Sequence, residues 1–141
     1  MRPVSSVPFV LCLVVLLAIP ILPIGPPSAS ADDSKPHAKV IAFESKLNDI
    51  QPLLGEPPET VTMKSGLVTL APGKSVGKHS TAQHEELLVI LAGRGEMIFK
   101  DGSKLAIEAN QALYCPPDTE HDVTNTGGET LRYVYVVANA K

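Results

Sequence analysis

Three of the four histidines in this 141-residue chain, with one glutamate, are spaced as if to share one ion. His79, His84 and Glu86 fall within eight residues, and His121 follows in Pro116-Pro-Asp118-Thr-Glu-His121-Asp-Val-Thr-Asn125. Imidazole and carboxylate are the ligands that borderline first-row metals take, and two histidines with one carboxylate can occupy one face of an octahedron. With so few histidines in the chain, such clustering is not a composition effect. Each residue also has a plainer reading. His79 and His121 could be core histidines hydrogen-bonded to neighbours, and His84 an exposed loop histidine. Glu85 lies one residue out of phase with Glu86 and faces solvent unless the strand slips by one.

The elements around these residues read as short strands. Glu86–Leu91 begins polar and turns apolar; residues 86, 88 and 90 share a face, so an inward Leu88 and Ile90 carry Glu86 inward near the end of the strand. A buried carboxylate needs a cation, hydrogen-bond donors or a proton. Strand patterns recur at 60–63, 67–70, 96–100, 104–108, 111–115, 121–126 and 131–138, with Gly93-Arg94-Gly95, Asp101-Gly102, Pro116-Pro117 and Gly127-Gly128 as turns. Some eight strands over about 80 residues predict an all-β sandwich or barrel. Glu59–Ala138 is therefore the expected barrel, and residues 32–58 an arm preceding it. Within the arm, Lys39-Val-Ile-Ala-Phe43 has strand composition. Leu47, Ile50, Leu53 and Leu54 fit one helical face that Pro52 limits to a turn or two.

The first 31 residues carry one charge, Arg2, an apolar run from Phe9 to Ile19, and Ala29-Ser30-Ala31 ahead of two aspartates. This is the pattern of a cleaved secretory signal. The competing reading, a retained membrane anchor, has the length to span but meets Pro20, Pro23, Pro26 and Pro27 in its second half. Cleavage would leave 11 Lys and Arg against 15 Asp and Glu, a formal charge of −4. The interspersed charges include no basic stripe, which argues against nucleic acid as a partner. Cys115 would then be the one cysteine, too few for an internal disulfide. It alternates away from Tyr114 and reads as a small buried apolar residue. Tyr133 and Tyr135 share one face of the last strand as core or pocket lining. The expectation is an exported protein, periplasmic or secreted, with no stable membrane insertion once the signal is removed.

Two stretches resemble the paired motifs of the cupin superfamily. Gly73, His79, Thr81, Glu86 and Gly93 fall in the register of the first motif, with Thr81 where its second histidine stands. Asn110, Pro116, Asp118, His121 and Asn125 fall in that of the second, with Asn110 and Asp118 in place of glycines. Asn and Asp are the non-glycine residues that best tolerate positive φ, so those turns are expected to survive. The resemblance implies a small single-domain cupin, a double-stranded β-helix or jelly-roll barrel. It implies a divalent transition metal (Fe, Mn, Zn, Ni or Cu) at His79, Glu86 and His121, with His84 a candidate for the ligand missing at Thr81. Without His84, two histidines and one carboxylate with open positions suit iron(II) or manganese. The resemblance implies a small chelating ligand or substrate as partner, and a homodimer in which Val40–Phe43 is the candidate exchanged strand. No residue is assigned a catalytic role. Oxygenation, isomerisation and decarboxylation remain open beside a non-catalytic metal- or ligand-binding protein, since one fold hosts many functions.

Overall fold

The computed structural model describes residues 35–44 and 46–140; the expected signal segment, 1–31, lies outside them. Nine strands are formed: β1 (Asp49–Leu54), β2 (Met63–Leu70), β3 (His79–Ser80), β4 (His84–Ala92), β5 (Arg94–Phe99), β6 (Lys104–Glu108), β7 (Ala112–Cys115), β8 (Glu120–Thr124) and β9 (Leu131–Asn139). They make two antiparallel sheets, ordered β1-β2-β9-β4-β7 and β3-β8-β5-β6. Among the described residues there is no helix. This is the expected all-β jelly roll.

Alternation along the strands decides what the sheets enclose. In β4, Glu86, Leu88 and Ile90 are buried while Leu87, Val89 and Leu91 stay open on the outer face, the period-two pattern of a strand with one face in the core. Val68, Leu88, Leu113 and Tyr133 of the first sheet pack against Met97, Ile107 and Val123 of the second. Burying one such side chain contributes roughly 1.5–3 kcal/mol. Asp101-Gly102 closes the β5–β6 hairpin, with the Gly102 amide donating to the Phe99 carbonyl at 2.9 Å and Gly102 at φ +85°.

The arm departs from expectation. Lys39–Phe43 forms no strand, and Val40 is fully exposed. It is tied down through a side chain instead: Gln51 Nε2 donates to the Ala42 carbonyl and its Oε1 accepts the Glu44 amide. The backbone beside β2 is taken by β1, which replaces the helical turn expected around Leu47–Leu54. Its apolar residues fit a helix period, yet Pro52 is tolerated because β1 is an edge strand whose outer amides need no partner. Asn48, at φ 55°, starts β1 by accepting the Ala71 amide at 2.8 Å. The two strands expected at 60–63 and 67–70 are likewise one, β2, which begins at Met63 and runs through the gap between them. The Thr60 hydroxyl instead bonds the Gly55 and Met63 carbonyls and bends the chain.

Candidate metal centre

The segment from Gly73 to Ser80 runs antiparallel beside β8, which places His79. The Gly73 amide donates to the Asn125 carbonyl and the Val76 amide to the Val123 carbonyl, and His79 then pairs with His121 across β3 and β8. The neighbouring strand of His79 is therefore β8. Glu86 approaches from the other sheet, in register with Cys115 of β7. Two histidines from one sheet and a carboxylate from the other converge, each offering an atom within 4.8 Å of the rest.

The atomic detail fits a cation. The Nδ1 atom of His79 lies 2.9 Å from the Gly77 carbonyl, and that of His121 3.3 Å from the Thr119 carbonyl. A carbonyl only accepts, so both rings carry their proton on Nδ1 and present Nε2 to the centre, the orientation that metal-binding histidines take from such partners. The rings stand edge to face with centroids 4.4 Å apart. His121 is 1 % exposed and Glu86 7 %. His121 Nε2 lies 3.2 Å from Glu86 Oε2, within ion-pair distance, while that buried nitrogen makes no hydrogen bond. Ligands about 2.1 Å from one ion and at right angles are about 3.0 Å apart, so this pair already has the spacing of neighbouring ligands. Exposed His79 has room to complete the set.

Burial opposes charging the His121 ring, but the Glu86 carboxylate, the Thr119 carbonyl and Asp122 outweigh it and raise its proton affinity above the ordinary imidazole value. Cys115 is wholly buried, with Sγ 3.6 Å from His121 Nδ1. Burial and then Glu86 push its thiol pKa up, so it packs and contacts the ring rather than acting as a thiolate. Sequence alone gave Cys115 the small apolar role; its contact with His121 needed the fold.

The remaining candidate ligand, His84, falls elsewhere, and Thr81 has a role of its own. His84 does not join the group: its ring contacts the Thr81 carbonyl at 3.3 Å and lies close enough to Glu56 to act on that carboxylate. It shares the phase of Glu86 but stands two residues nearer the end of β4, beyond the cluster. Thr81 is buried with its hydroxyl committed, donating to the Pro116 carbonyl at 3.0 Å and accepting the Thr119 amide at 3.1 Å. It fastens β3 to the turn that presents His121. That turn needs Asp118 at φ 56°, and Asn110 sits at φ 69°, so both residues standing in for glycine adopt the left-handed region.

The centre opens into a pocket of about 310 Å³. Val68, Val76 and Val123 form apolar walls, with Tyr133 and Tyr135 of β9 beside them and Lys78 at the rim. Gly66 pairs with Tyr135 across β2 and β9. A β-carbon on Gly66 would stand 2.6–2.7 Å from the tyrosine ring and hydroxyl, so glycine leaves the space that ring fills.

The fold is thus a jelly-roll barrel with a His-Glu-His cluster inside it that could hold a metal ion. The chain belongs to the cupin family: the family model described as "Cupin domain" matches residues 66–137. Solved structures agree in fold. A Cupin 2 conserved barrel domain protein from Salinispora arenicola is 26 % identical over 74 % of this chain and 92 % of its own, with a TM-score of 0.60. An RmlC-like cupin family protein with a double-stranded β-helix fold from Methanocaldococcus jannaschii is 18 % identical over 73 % and 92 %, with a TM-score of 0.63. The Cnp3 cupin domain of Schizosaccharomyces pombe is 19 % identical over 64 % of this chain and 63 % of its own, with a TM-score of 0.57. This chain thus spans under two thirds of the yeast structure. None of the curated proteins matches the chain.

Proposed function

We propose that this cupin is an exported protein that holds a divalent transition metal at His79, Glu86 and His121 and acts on a small chelating molecule in the pocket beside it. The observation that carries the reading is the buried His121 Nε2, without a hydrogen bond and 3.2 Å from a buried carboxylate oxygen. A buried polar atom left unpaired costs about 1–3 kcal/mol, and a shared cation removes that cost for both groups. Three protein ligands leave positions open, and in them a bound ion would serve as Lewis acid or redox centre. Iron(II) and manganese suit two imidazoles and a carboxylate; zinc, nickel and copper compete for the same set.

Metal analysis of the purified protein tests this directly. One ion per chain, lost in His121→Ala, is expected. No stoichiometric metal, with that substitution changing nothing, refutes it. Oxygen uptake with iron(II) and simple chelating acids then separates an enzyme from a non-catalytic binding protein, the second reading. Export belongs to the same proposal, and N-terminal sequencing of secreted material should begin at Asp32. So does a homodimer: Leu87, Val89, Leu91 and Tyr114 are open on the outer face of the five-stranded sheet, and a monomer in sedimentation would overturn it.

A further inference from the structure

Tyr133 is 2 % exposed and lines the pocket, yet its hydroxyl makes no hydrogen bond. That hydroxyl is not among the fully buried atoms left without a partner, so it is open to the pocket that Tyr133 lines. Its neighbour two residues on, Tyr135, lines the same pocket from the same face of β9 and is likewise without a hydrogen bond. Both rings lie within electrostatic reach of Glu86, so the phenols and the candidate metal centre address one space.

The chemistry of that space is one-sided. Among the described residues that line it, Glu86 is the one carboxylate and is spoken for by the ion together with the two histidines, which leaves the ion itself and Lys78 as the positive groups. Burial pushes the Tyr133 pKa far up and that of Tyr135 up as well, so both stay O–H donors at any ordinary pH. Beyond these groups the walls are valine, isoleucine and tyrosine ring. A cavity of about 310 Å³ is small for a ligand site. A site offering donors and positive charge at one end and hydrocarbon at the other matches an anion with a compact apolar body.

We propose that Tyr133 and Tyr135 are positioning residues whose hydroxyls donate to the oxygens of a small hydroxy- or keto-carboxylate, held against the His79–Glu86–His121 centre with its apolar part among Val68, Val76 and Val123. This rests on the metal reading above and adds to it the ligand class and two residues that select it. Tyr133 is the stronger member, because its side chain is held in the wall at 2 % exposure whereas Tyr135 is only half-buried. Gly66 is part of the arrangement, since only an absent β-carbon lets the Tyr135 ring lie where it does.

The test uses the purified protein loaded with cobalt(II), whose visible absorption reports its ligands, titrated with 2-hydroxy-3-methylbutyrate and with glycolate. The branched acid should bind at least about tenfold more tightly than glycolate, since three added carbons find apolar walls. Tyr133→Phe keeps the ring and removes one donor to a charged acceptor, so it should weaken the branched acid about tenfold or more. Tyr135→Phe should weaken it less. Cobalt affinity and the melting temperature of both variants should match wild type, which a merely structural role for the hydroxyls would not give. Unchanged affinity in Tyr133→Phe, or no binding of either acid by the cobalt-loaded protein, overturns the assignment and leaves the metal reading standing. Failure of the wild-type protein to take up cobalt overturns the metal reading itself.

Discussion

Glu86→Gln separates the metal reading from a purely structural role for the cluster. The substitution keeps the volume of a side chain that is 7 % exposed and removes its charge. In the metal-free protein, above the pH at which His121 gives up its proton, little should be lost, because Glu86 Oε2 and the uncharged ring are close without a hydrogen bond between them. A buried acid that gives up its charge also escapes part of its desolvation penalty. With metal present the outcome reverses. An ion at a hundred times its dissociation constant stabilises the fold it binds by about 2.7 kcal/mol. For a domain of roughly 100 residues that is a rise in melting temperature on the order of 10 °C. Glutamine is a far weaker ligand than carboxylate for such ions, and at the same metal concentration the rise should shrink to roughly 2 °C or less, a bound set by the same relation. Thermal unfolding followed by circular dichroism, with and without manganese(II) or zinc(II), reads both effects. An equal metal-induced rise in wild type and Glu86→Gln would refute the coordination of the ion by Glu86. A large loss of stability in the metal-free variant would refute the claim that the cluster is poised for a cation rather than for packing.

Three further outcomes follow from the same geometry. Because the His121 proton affinity is raised in the fold, its pairing with Glu86 stabilises the metal-free protein below the unfolded imidazole value of about 6.5 and fades as pH rises through the higher folded value. Metal capture runs the other way: the ring must shed its proton, so apparent metal affinity should climb by up to about tenfold per pH unit through that window, and calorimetry should detect proton release. Asn125 is wholly buried, donates to the Leu70 and Glu129 carbonyls at 2.9 and 2.8 Å and accepts the Gly127 amide at 2.9 Å. Asn125→Ala strands all three partners and should cost about 2–4 kcal/mol in urea unfolding. Gly66→Ala drives a β-carbon into the Tyr135 ring and should cost about 1–3 kcal/mol, most of it recovered when Tyr135 is also replaced by alanine.

Much of the barrel was legible because its strands have one wet face and one dry face. The alternation at Glu86–Leu91 gave the inward set Glu86, Leu88 and Ile90 directly, and β5 to β9 lie within two residues of their expected bounds. Turn chemistry was equally readable: Asn110 and Asp118 hold the positive φ that glycine would have held. The arm was not, since local pattern cannot say which edge is free. The strand propensity of Val40–Phe43 finds no ladder, whereas Asp49–Leu54, helical in spacing and interrupted by Pro52, occupies the edge of β2. The tertiary partner overrode the local preference there.

The site divides along the same line. Motif spacing indicated that His79, Glu86 and His121 meet, but not how, because the pairing of β3 with β8 and the approach of Glu86 from the opposite sheet are long-range facts. It also left Thr81 as a gap to be filled, with His84 as the substitute. In the fold Thr81 is no gap: its hydroxyl bridges the Pro116 carbonyl and the Thr119 amide, two residues before His121. A histidine there would surrender both bonds within a buried turn, so restoring the motif's second histidine would disturb the turn that presents His121. The three-ligand set is therefore consistent with its own support. What replaces a fourth imidazole, on this reading, is open coordination space facing two unpartnered phenols, and the choice of ligand passes from the ion to the wall opposite it.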